Sequence, residues 1–223
     1  MNPETVSTTP ALPRLGGPAP DFEAETTQGR LALSDYRGQW LVLFSHPADF
    51  TPVCTTEFIA FANIAPRMRD LGVEMLGLSI DSIYSHLAWA KTIEEKFGIT
   101  IPFPIIADSD RSVATAYGMV HPDDSGTETS RCVFIIDPAG TVRAMIYYPL
   151  TTGRNVAEIE RTVIALMTTD QHKVATPANW QPGDKVIVPA PRTIEDADAR
   201  KGQDVEYIDW WFCKTTVPTP KAS

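Results

Sequence analysis

The chain has 223 residues, of which 43% are hydrophobic and 21% charged, so it can bury a core of ordinary globular size. Its net charge of −9, from 28 acidic and 19 basic residues, argues against a nucleic-acid partner, which requires a basic surface. No run of about 18 apolar residues occurs, so we expect no membrane span.

Residues 1–16 are predicted to be a flexible leader. Prolines are frequent up to residue 20, and no apolar core of a secretory signal is found there. A cytoplasmic location is therefore the expectation.

Strands and helices alternate in the predicted elements that follow. Residues 19–36 are broken by Gly and Pro and indicate short hairpin strands, and the apolar run 40–45 indicates a strand covered on both faces. Residues 52–70 have helical spacing, Gly72 ends that helix, and 73–80 is a second buried strand. The apolar stripe of the helix consists of Phe58, Phe61, Ile64, Ala65 and Met68.

A second helix is predicted to begin at a cap formed by Asp81 and Ser82 and to end at Gly98. A short strand at 104–107 and a short helix at 110–117 come next. The positions of the second helix expected to face inward are Leu87, Ala90, Ile93 and Phe97.

Two strands at 132–136 and 141–148, joined by a hairpin at 137–140, precede a helix over 155–168. The order β-α-β-α-β-α-β-β-α predicts the α/β class, with a mixed central sheet and helices on both faces.

The composition changes from residue 177 onwards. Turns surround a short strand at 186–188, and an acidic helix is predicted within 193–200. The apolar patch at 207–212 requires a covering surface, which its own domain or an isologous dimer contact could supply.

The chain contains three cysteines, Cys54, Cys132 and Cys213. They are too few for a disulfide framework, and the absence of a CxxC pair excludes a thioredoxin-type dithiol and most structural zinc sites. In a reducing compartment each cysteine is either a buried structural residue or a reactive thiol.

Cys54 has the most informative surroundings. Pro52 suits the first position of a helix, which makes Thr51 the N-cap and places Cys54 in the first turn. Unpaired N–H groups and the positive end of the helix dipole favour a thiolate there, and the Thr51 hydroxyl could touch the sulfur and donate to an oxygen of a bound substrate. A buried structural cysteine is the alternative on position alone.

The segment 45–57, Ser-His-Pro-Ala-Asp-Phe-Thr-Pro-Val-Cys-Thr-Thr-Glu, resembles the signature of the peroxiredoxins (AhpC/TSA-like), particularly their one-cysteine, type six subfamily. The segments 81–89, 131–137 and 148–155 resemble further parts of that family. The resemblance implies a thioredoxin-like peroxidase domain over residues 17–170 and a dimerising C-terminal extension over 171–223.

The resemblance also implies roles for site residues. Cys54 would be the nucleophile that a peroxide oxidises to a sulfenic acid, and Arg131 would place a permanent positive charge beside it. Pro47 would shape the loop and shield the sulfur. Glu57 and Arg154 would support these groups, with Arg154 orienting Glu57 or Arg131.

The histidines have plainer interpretations. His46 could form a hydrogen bond near the site or be a structural histidine, and His86 is interpreted as structural or interfacial. No metal site is expected at His46 and Cys54, because no other ligands have suitable spacing, and no cofactor is predicted.

The other two cysteines differ in their expected roles. Neighbouring residues of a strand point to opposite faces, so Cys132 should point away from the face of Arg131 and be an unreactive residue of the core. Cys213 is either a covered tail cysteine or a resolving thiol that forms a disulfide with Cys54, between chains. Archaeal relatives resemble the Asp-Trp-Trp-Phe-Cys tail but have a further cysteine where this chain has Tyr207, which puts a two-step relay in doubt. Mammalian relatives carry a serine-containing element that is associated with phospholipase activity. The corresponding residues here, 36–40, lack the serine.

The implied function is reduction of hydrogen peroxide and alkyl hydroperoxides, in antioxidant defence and redox homeostasis. The expected partners are the peroxide, an external thiol reductant (the thioredoxin or the glutathione system) and a second copy of the chain, with a decamer of dimers as a larger alternative. A holdase chaperone and a disulfide oxidoreductase are the competing functions, and the missing CxxC disfavours the latter.

Overall fold

The computed structural model describes residues 12–218 and residue 220. The described chain divides into two compact units, with the division between Arg154 and Asn155. These units are defined by contacts between residues, so they do not test the domain boundary predicted between residues 170 and 171. That boundary stays a prediction. Most of the predicted leader lies outside the described residues, and at its end the Gly16 N–H donates to the carbonyl of Val142.

A seven-stranded mixed sheet forms the first unit, in the order β2-β1-β5-β4-β3-β6-β7. Strands β3, β4 and β5 are parallel, and β6 pairs antiparallel with β3 and β7. The predicted class, a mixed sheet with helices in a thioredoxin-like arrangement, is confirmed. The strands are β1 (Glu23–Thr26), β2 (Gly29–Ala32), β3 (Trp40–Ser45), β4 (Val73–Ser79), β5 (Ile105–Ala107), β6 (Arg131–Ile136) and β7 (Val142–Tyr148).

All six residues of β3 are buried, as expected for a strand covered on both faces. On one face Leu41 and Leu43 belong to an aliphatic core that also contains Cys132. On the other face Phe44 stacks on Phe61, with ring centroids 4.1 Å apart. The strand therefore fixes the position of its own carboxyl end, where the chain turns towards Cys54.

The helices of the first unit are α1 (Pro52–Asp70), α2 (Ile83–Phe97) and the short α3 (Ser112–Ala116). The predicted limits of α1 are confirmed, and its apolar stripe is buried apart from half-buried Ile64. The limits of α2 are also confirmed, with Ser82 as N-cap and Gly98 in the left-handed conformation.

The predicted inward face of α2 is wrong in part. Leu87 and Phe97 are exposed, and the buried side chains are His86, Trp89 and Ile93. The buried face is rotated because a polar residue, His86, is buried with hydrogen-bond partners on other elements.

The second unit contains α4 (Val156–His172), α5 (Ile194–Ala199) and a three-stranded antiparallel sheet in the order β8-β10-β9. Its strands are β8 (Val186–Val188), β9 (Glu206–Asp209) and β10 (Phe212–Thr215), and Cys213 lies on β10. The predicted apolar patch forms parts of β9 and β10 and the turn between them. Across residues 12–218 and 220, no helix is both long and apolar enough to cross a bilayer.

Candidate active site

Cys54 is the third residue of α1 and is fully buried. The helix begins at Pro52, and Thr51 is the N-cap with an extended backbone, as predicted. The first N–H to find a carbonyl within the helix is that of Thr55, which donates to the Thr51 carbonyl at 3.0 Å. The earlier N–H groups lack a carbonyl partner inside the helix, so the sulfur sits at its electropositive end.

The Thr51 hydroxyl differs from the expectation. It donates to the carbonyl of Ala48 at 2.9 Å and does not cap the helix. Because its proton is engaged, the lone pairs of this oxygen are what it can offer to a peroxide. The predicted donation to a peroxide oxygen would require the hydroxyl to leave the Ala48 carbonyl.

Arg131, the first residue of β6, contacts the sulfur directly. Its Nη1 donates to Cys54 Sγ at 3.3 Å and to Glu57 Oε2 at 2.7 Å, while Nε and Nη2 both donate to the carbonyl of Leu150, at 2.9 and 2.8 Å. These bonds hold the planar guanidinium in one orientation, which a flexible ammonium group could not match.

Arg154 holds Glu57 from the other side. Its backbone N–H and its Nε donate to Glu57 Oε1 at 2.8 and 2.9 Å, and Nη2 donates to Oε2 at 2.8 Å. Its Nη1 donates to the carbonyls of Ser45 and Cys132, at the ends of β3 and β6, at 2.8 and 3.0 Å. Arg154 thereby joins two strand ends to the first turns of α1.

The Arg154 guanidinium also lies close to two aromatic rings. Its Cζ is 5.3 Å from the ring centre of Phe44 and 5.2 Å from that of Phe61. The rings restrict the guanidinium and favour its charge.

The charges of Arg131, Arg154 and Glu57 do not balance unless the Cys54 sulfur carries a negative charge. Arg131 and Arg154 carry two positive charges and Glu57 one negative charge, and all three side chains are at most 4% exposed. Burial alone would raise the pKa of Glu57, but the charge and hydrogen bonds of Arg154, with the charge of Arg131, lower it, so the carboxylate is ionised. The three side chains carry a net charge of +1, which a Cys54 thiolate neutralises.

Replacing Glu57 with glutamine should destabilise the protein strongly. Glu57→Gln leaves two buried guanidinium groups without their counter-ion, and we expect a loss of about 3 kcal/mol or more in the free energy of unfolding. Urea denaturation followed by circular dichroism measures it. Because the folded-state pKa of Glu57 is lowered, its stabilisation is present at neutral pH and is lost as the pH falls, so the difference from wild type should narrow below about pH 4.3.

The exposed ion pair of Glu23 with Arg30 provides the control for this experiment. Glu23→Gln should leave the denaturation midpoint unchanged, because exposed pairs contribute little. Equal midpoints for Glu57→Gln and wild type would show that the buried charges are not coupled.

Pro47 and His46 lie in the loop between β3 and α1, and both are buried. His46 stacks on Trp89 with ring centroids 5.1 Å apart. Its Nε2 is 2.9 Å from Asp49 Oδ1, while its buried Nδ1 has no hydrogen-bond partner among the described residues. Burial lowers the pKa of His46 more than its bond to Asp49 raises it, so the ring is neutral.

The other two cysteines have different surroundings from Cys54. Cys132 points into the aliphatic core on the opposite face of β6, as alternation predicts, and burial raises the pKa of its thiol to about 12. Cys213 is buried in the second unit, where its Sγ donates to the carbonyl of Asp209 at 3.2 Å.

Two buried residues near the site, Asp49 and His86, were not identified from the sequence as parts of it. Asp49 accepts hydrogen bonds from both His46 and His86. The available signal was a carboxylate three residues after a histidine, in a loop otherwise poor in charge. Nitrogen and oxygen atoms of these three side chains lie within 4.8 Å of one another, but hydrogen bonds join them, so we assign no metal to the group.

A buried cysteine in the first turn of a helix, facing a fixed guanidinium at the end of a mixed sheet, defines a thiol-dependent oxidoreductase. Comparison with known proteins gives the family. The sequence profile of the AhpC/TSA family matches residues 15–145, and that of the C-terminal domain of 1-Cys peroxiredoxin matches residues 165–203.

Relatives match over nearly their whole length. The chain is 56% identical to a peroxiredoxin of Aquifex aeolicus over 218 residues, covering 93% of this chain and 98% of the relative. It is 50% identical to a peroxiredoxin of Methanosarcina mazei over 212 residues, covering 91% and 97%.

Solved structures agree with these relatives. A yeast mitochondrial 1-Cys peroxiredoxin superposes with a TM-score of 0.82 at 42% identity, covering 92% of this chain and 99% of that one. Peroxiredoxin 6 of Arenicola marina gives 0.77 at 42% identity, covering 83% and 88%. The chain belongs to the AhpC/TSA family of peroxiredoxins and is a thiol-dependent peroxidase, which confirms the resemblance found in its sequence.

Proposed function

We propose that the protein reduces hydrogen peroxide and alkyl hydroperoxides through a sulfenic acid on Cys54, in antioxidant defence and redox homeostasis. One observation carries this proposal: the buried group of Arg131, Arg154 and Glu57 has a net charge of +1, and the sulfur next to it is fully buried. A thiolate is stabilised there, and thiolates attack peroxides.

The proposed step balances as follows. The Cys54 thiolate attacks one peroxide oxygen, an S–O bond forms and the O–O bond breaks. The sulfur loses two electrons, and the other oxygen leaves as hydroxide or alkoxide and takes up a proton. Arg131 lies within 3.3 Å of the sulfur and stabilises the negative charge as it passes to oxygen. Thr51 would accept a hydrogen bond from a peroxide that carries an O–H, and Pro47 would keep water from the sulfur.

An apolar groove supports organic substrates. It has a volume of about 450 Å³, adjoins Thr51 and Pro52, and is lined otherwise by side chains such as Phe50, Ile59 and Phe97. A short alkyl substituent could lie in this groove while its hydroperoxide group approached Thr51.

Regeneration of the thiol requires a second thiol. Attack on the sulfenic acid forms a disulfide and releases water, and a further thiol reduces that disulfide. We propose an external reductant, with the thioredoxin and glutathione systems as the two candidates. Since Cys54 is fully buried, a protein thiol can reach it only if the first turn of α1 opens.

Cys213 is the alternative resolving thiol. It is held inside the small sheet by its neighbours on β8 and β9, so its attack would also require local opening. A direct bond to Cys54 of another copy would need a homodimer. Exposed apolar side chains of the second unit support such an assembly, as a dimer or as a decamer of dimers: Ile194, Ile208, Trp210 and Trp211. We propose a cytoplasmic location, where reducing thiols are available.

One experiment tests the chemistry and the resolving thiol. The reduced protein receives one equivalent of hydrogen peroxide, and half the sample is treated with dimedone and mapped by mass spectrometry. We expect the sulfenic-acid adduct on Cys54 and none on Cys132. A Cys132 adduct without a Cys54 adduct would overturn the proposal.

The other half of the sample is run on a non-reducing gel. A dimer-sized band that disappears in Cys213→Ser would establish Cys213 as the resolving thiol. A monomer band alone would support a cycle that relies on an external thiol.

A further inference from the structure

A second group of buried polar side chains lies under the loop that leads to Cys54. His46, Asp49 and His86 are each at most 1% exposed in their side chains. Asp49 Oδ1 is 2.9 Å from His46 Nε2, and Asp49 Oδ2 is 2.8 Å from His86 Nδ1. His86 Nε2 is 3.1 Å from the carbonyl oxygen of Ile106.

These contacts determine where the protons are. A carbonyl oxygen only accepts hydrogen bonds, so His86 Nε2 carries a proton. Burial alone would raise the pKa of Asp49, but hydrogen bonds from His46 and His86 lower it. A carboxylate only accepts hydrogen bonds, so its oxygen 2.8 Å from His86 Nδ1 calls for a donor at that nitrogen. Neutral His46 donates from Nε2 to the same carboxylate.

Hydrogen bonds of Asp49 and His86 connect the loop between β3 and α1 to three other elements. His86 belongs to α2, and Ile106 to β5. The Asp49 N–H donates at 3.0 Å to Asp81 Oδ2, which also accepts from Ser79 Oγ at the end of β4, at 2.7 Å. Asp81 and His86 both act on His46 as well, with Asp81 raising its pKa and His86 lowering it.

The held loop contains a strained residue. Phe50, between Asp49 and the N-cap Thr51, has a φ of 56°, in the left-handed region that costs a bulky residue energy. Such a conformation persists only where its neighbours are restrained, and the Asp49 carboxylate is the restraint on one side.

We propose that His86 is a positioning residue of the peroxidase site, which acts as a buried cation through Asp49 to hold the loop of Pro47 and Thr51 in its working conformation. The inference rests on the proposed function in that the loop serves the reaction of Cys54 with a peroxide. His86 itself touches neither the sulfur nor, on this account, the substrate.

The test compares three variants by their second-order rate constant with hydrogen peroxide. His86→Gln leaves the Asp49 carboxylate without its cation, and we expect a loss of about tenfold or more. In the double variant His86→Gln with Asp49→Asn the uncompensated charge is removed, so the rate constant should rise above that of His86→Gln. Asp49→Asn alone should lose less than His86→Gln, because an amide can accept from His46 and donate to a neutral His86.

The alkylation rate of Cys54 at neutral pH distinguishes an effect on the loop conformation from an effect on the ionisation of the Cys54 thiol. Arg131 is unaltered in these variants, so alkylation should not slow while the peroxide reaction does. The exposed His121 provides the matched control, and His121→Gln should leave both rates unchanged. A double variant no faster than His86→Gln would overturn the proposal, and so would alkylation that slows in parallel with the peroxide reaction.

The protonation state is tested on the wild-type protein, without turnover. The ¹⁵N chemical shifts of His86 should show both ring nitrogens protonated. A neutral ring would overturn the inference, as would a stoichiometric transition metal found by elemental analysis, since a metal would replace the protons. Wild-type protein that carries the imidazolium but fails to consume peroxide would instead contradict the proposed function.

Discussion

Cys54→Ser should abolish peroxide consumption, with a loss of at least about 10³-fold against the wild type. Serine is almost the same size, so the site stays packed, but its hydroxyl is not ionised at neutral pH even beside a guanidinium. Without the thiolate the group of Arg131, Arg154 and Glu57 has a net positive charge and no nucleophile to activate. Hydrogen peroxide consumption with dithiothreitol as the reductant measures the effect.

Cys132→Ser is the matched control for this result. Cys132 lies on the opposite face of β6 in an aliphatic core, and burial keeps its thiol protonated by raising its pKa to about 12. We expect the control to consume peroxide within about twofold of the wild type, because the substitution changes only a side chain that points away from the site and leaves in place the backbone carbonyl that Arg154 binds. Activity that survives in Cys54→Ser and is lost in Cys132→Ser would reverse the assignment of the nucleophile.

The second large effect is expected at Arg131. Arg131→Gln removes one of two positive charges, so a thiolate would give the remaining group of Glu57, Arg154 and Cys54 a net charge of −1 in a buried position. We expect the second-order rate constant with hydrogen peroxide to fall by about 10² to 10³-fold, similar to the loss of an oxyanion donor. Alkylation of Cys54 at pH 7 should slow as well, since less thiolate is present.

Arg131→Lys separates charge from geometry. The ammonium group keeps the charge but lacks the planar fork that bonds the sulfur, Glu57 and the Leu150 carbonyl in fixed directions. The rate constant of Arg131→Lys should therefore lie between those of wild type and Arg131→Gln. Arg143, which pairs with Asp137 near the β6–β7 hairpin, is the control arginine, and Arg143→Gln should react at the wild-type rate. Unchanged alkylation in Arg131→Gln would show that Arg131 does not stabilise the thiolate.

Local signals made the first turn of α1 predictable from the sequence. Pro52 fixes the first helical position, Thr51 the cap and Gly72 the end, and all three act on their immediate neighbours. The position of Cys54 in the helix therefore followed without knowledge of the rest of the fold.

The buried face of α2 was not predictable in the same way. Counting apolar residues selected Leu87 and Phe97, which are exposed, and passed over His86. A histidine is buried only where distant groups satisfy its nitrogens, and the partners of His86 are 37 and 20 residues away, at Asp49 and Ile106. A periodicity that considers one helix cannot detect such partners.

The identities of the residues around Glu57 could be predicted from the sequence, but the hydrogen bonds between them could not. The family resemblance placed Arg131 beside Cys54 and had Arg154 orient Glu57 or Arg131, while the actual hydrogen bonds of the two arginines depend on the ends of β3 and β6. Arg154 binds Glu57 across 97 residues of sequence and also uses backbone carbonyls, which have no sequence signature. The resulting charge balance, rather than any single motif residue, is the basis of the proposed nucleophile.

The position of Trp89 gives the protein a built-in optical probe. Its ring stacks on His46, and its Nε1 donates to the hydroxyl of Thr55 at 3.3 Å, one residue after the reactive cysteine. If the first turn of α1 opened for a thiol to enter, this indole would lose a hydrogen bond and meet water. In a variant that keeps Trp89 and lacks the other four tryptophans, emission should follow the exposure of the sulfur in real time, without an attached dye.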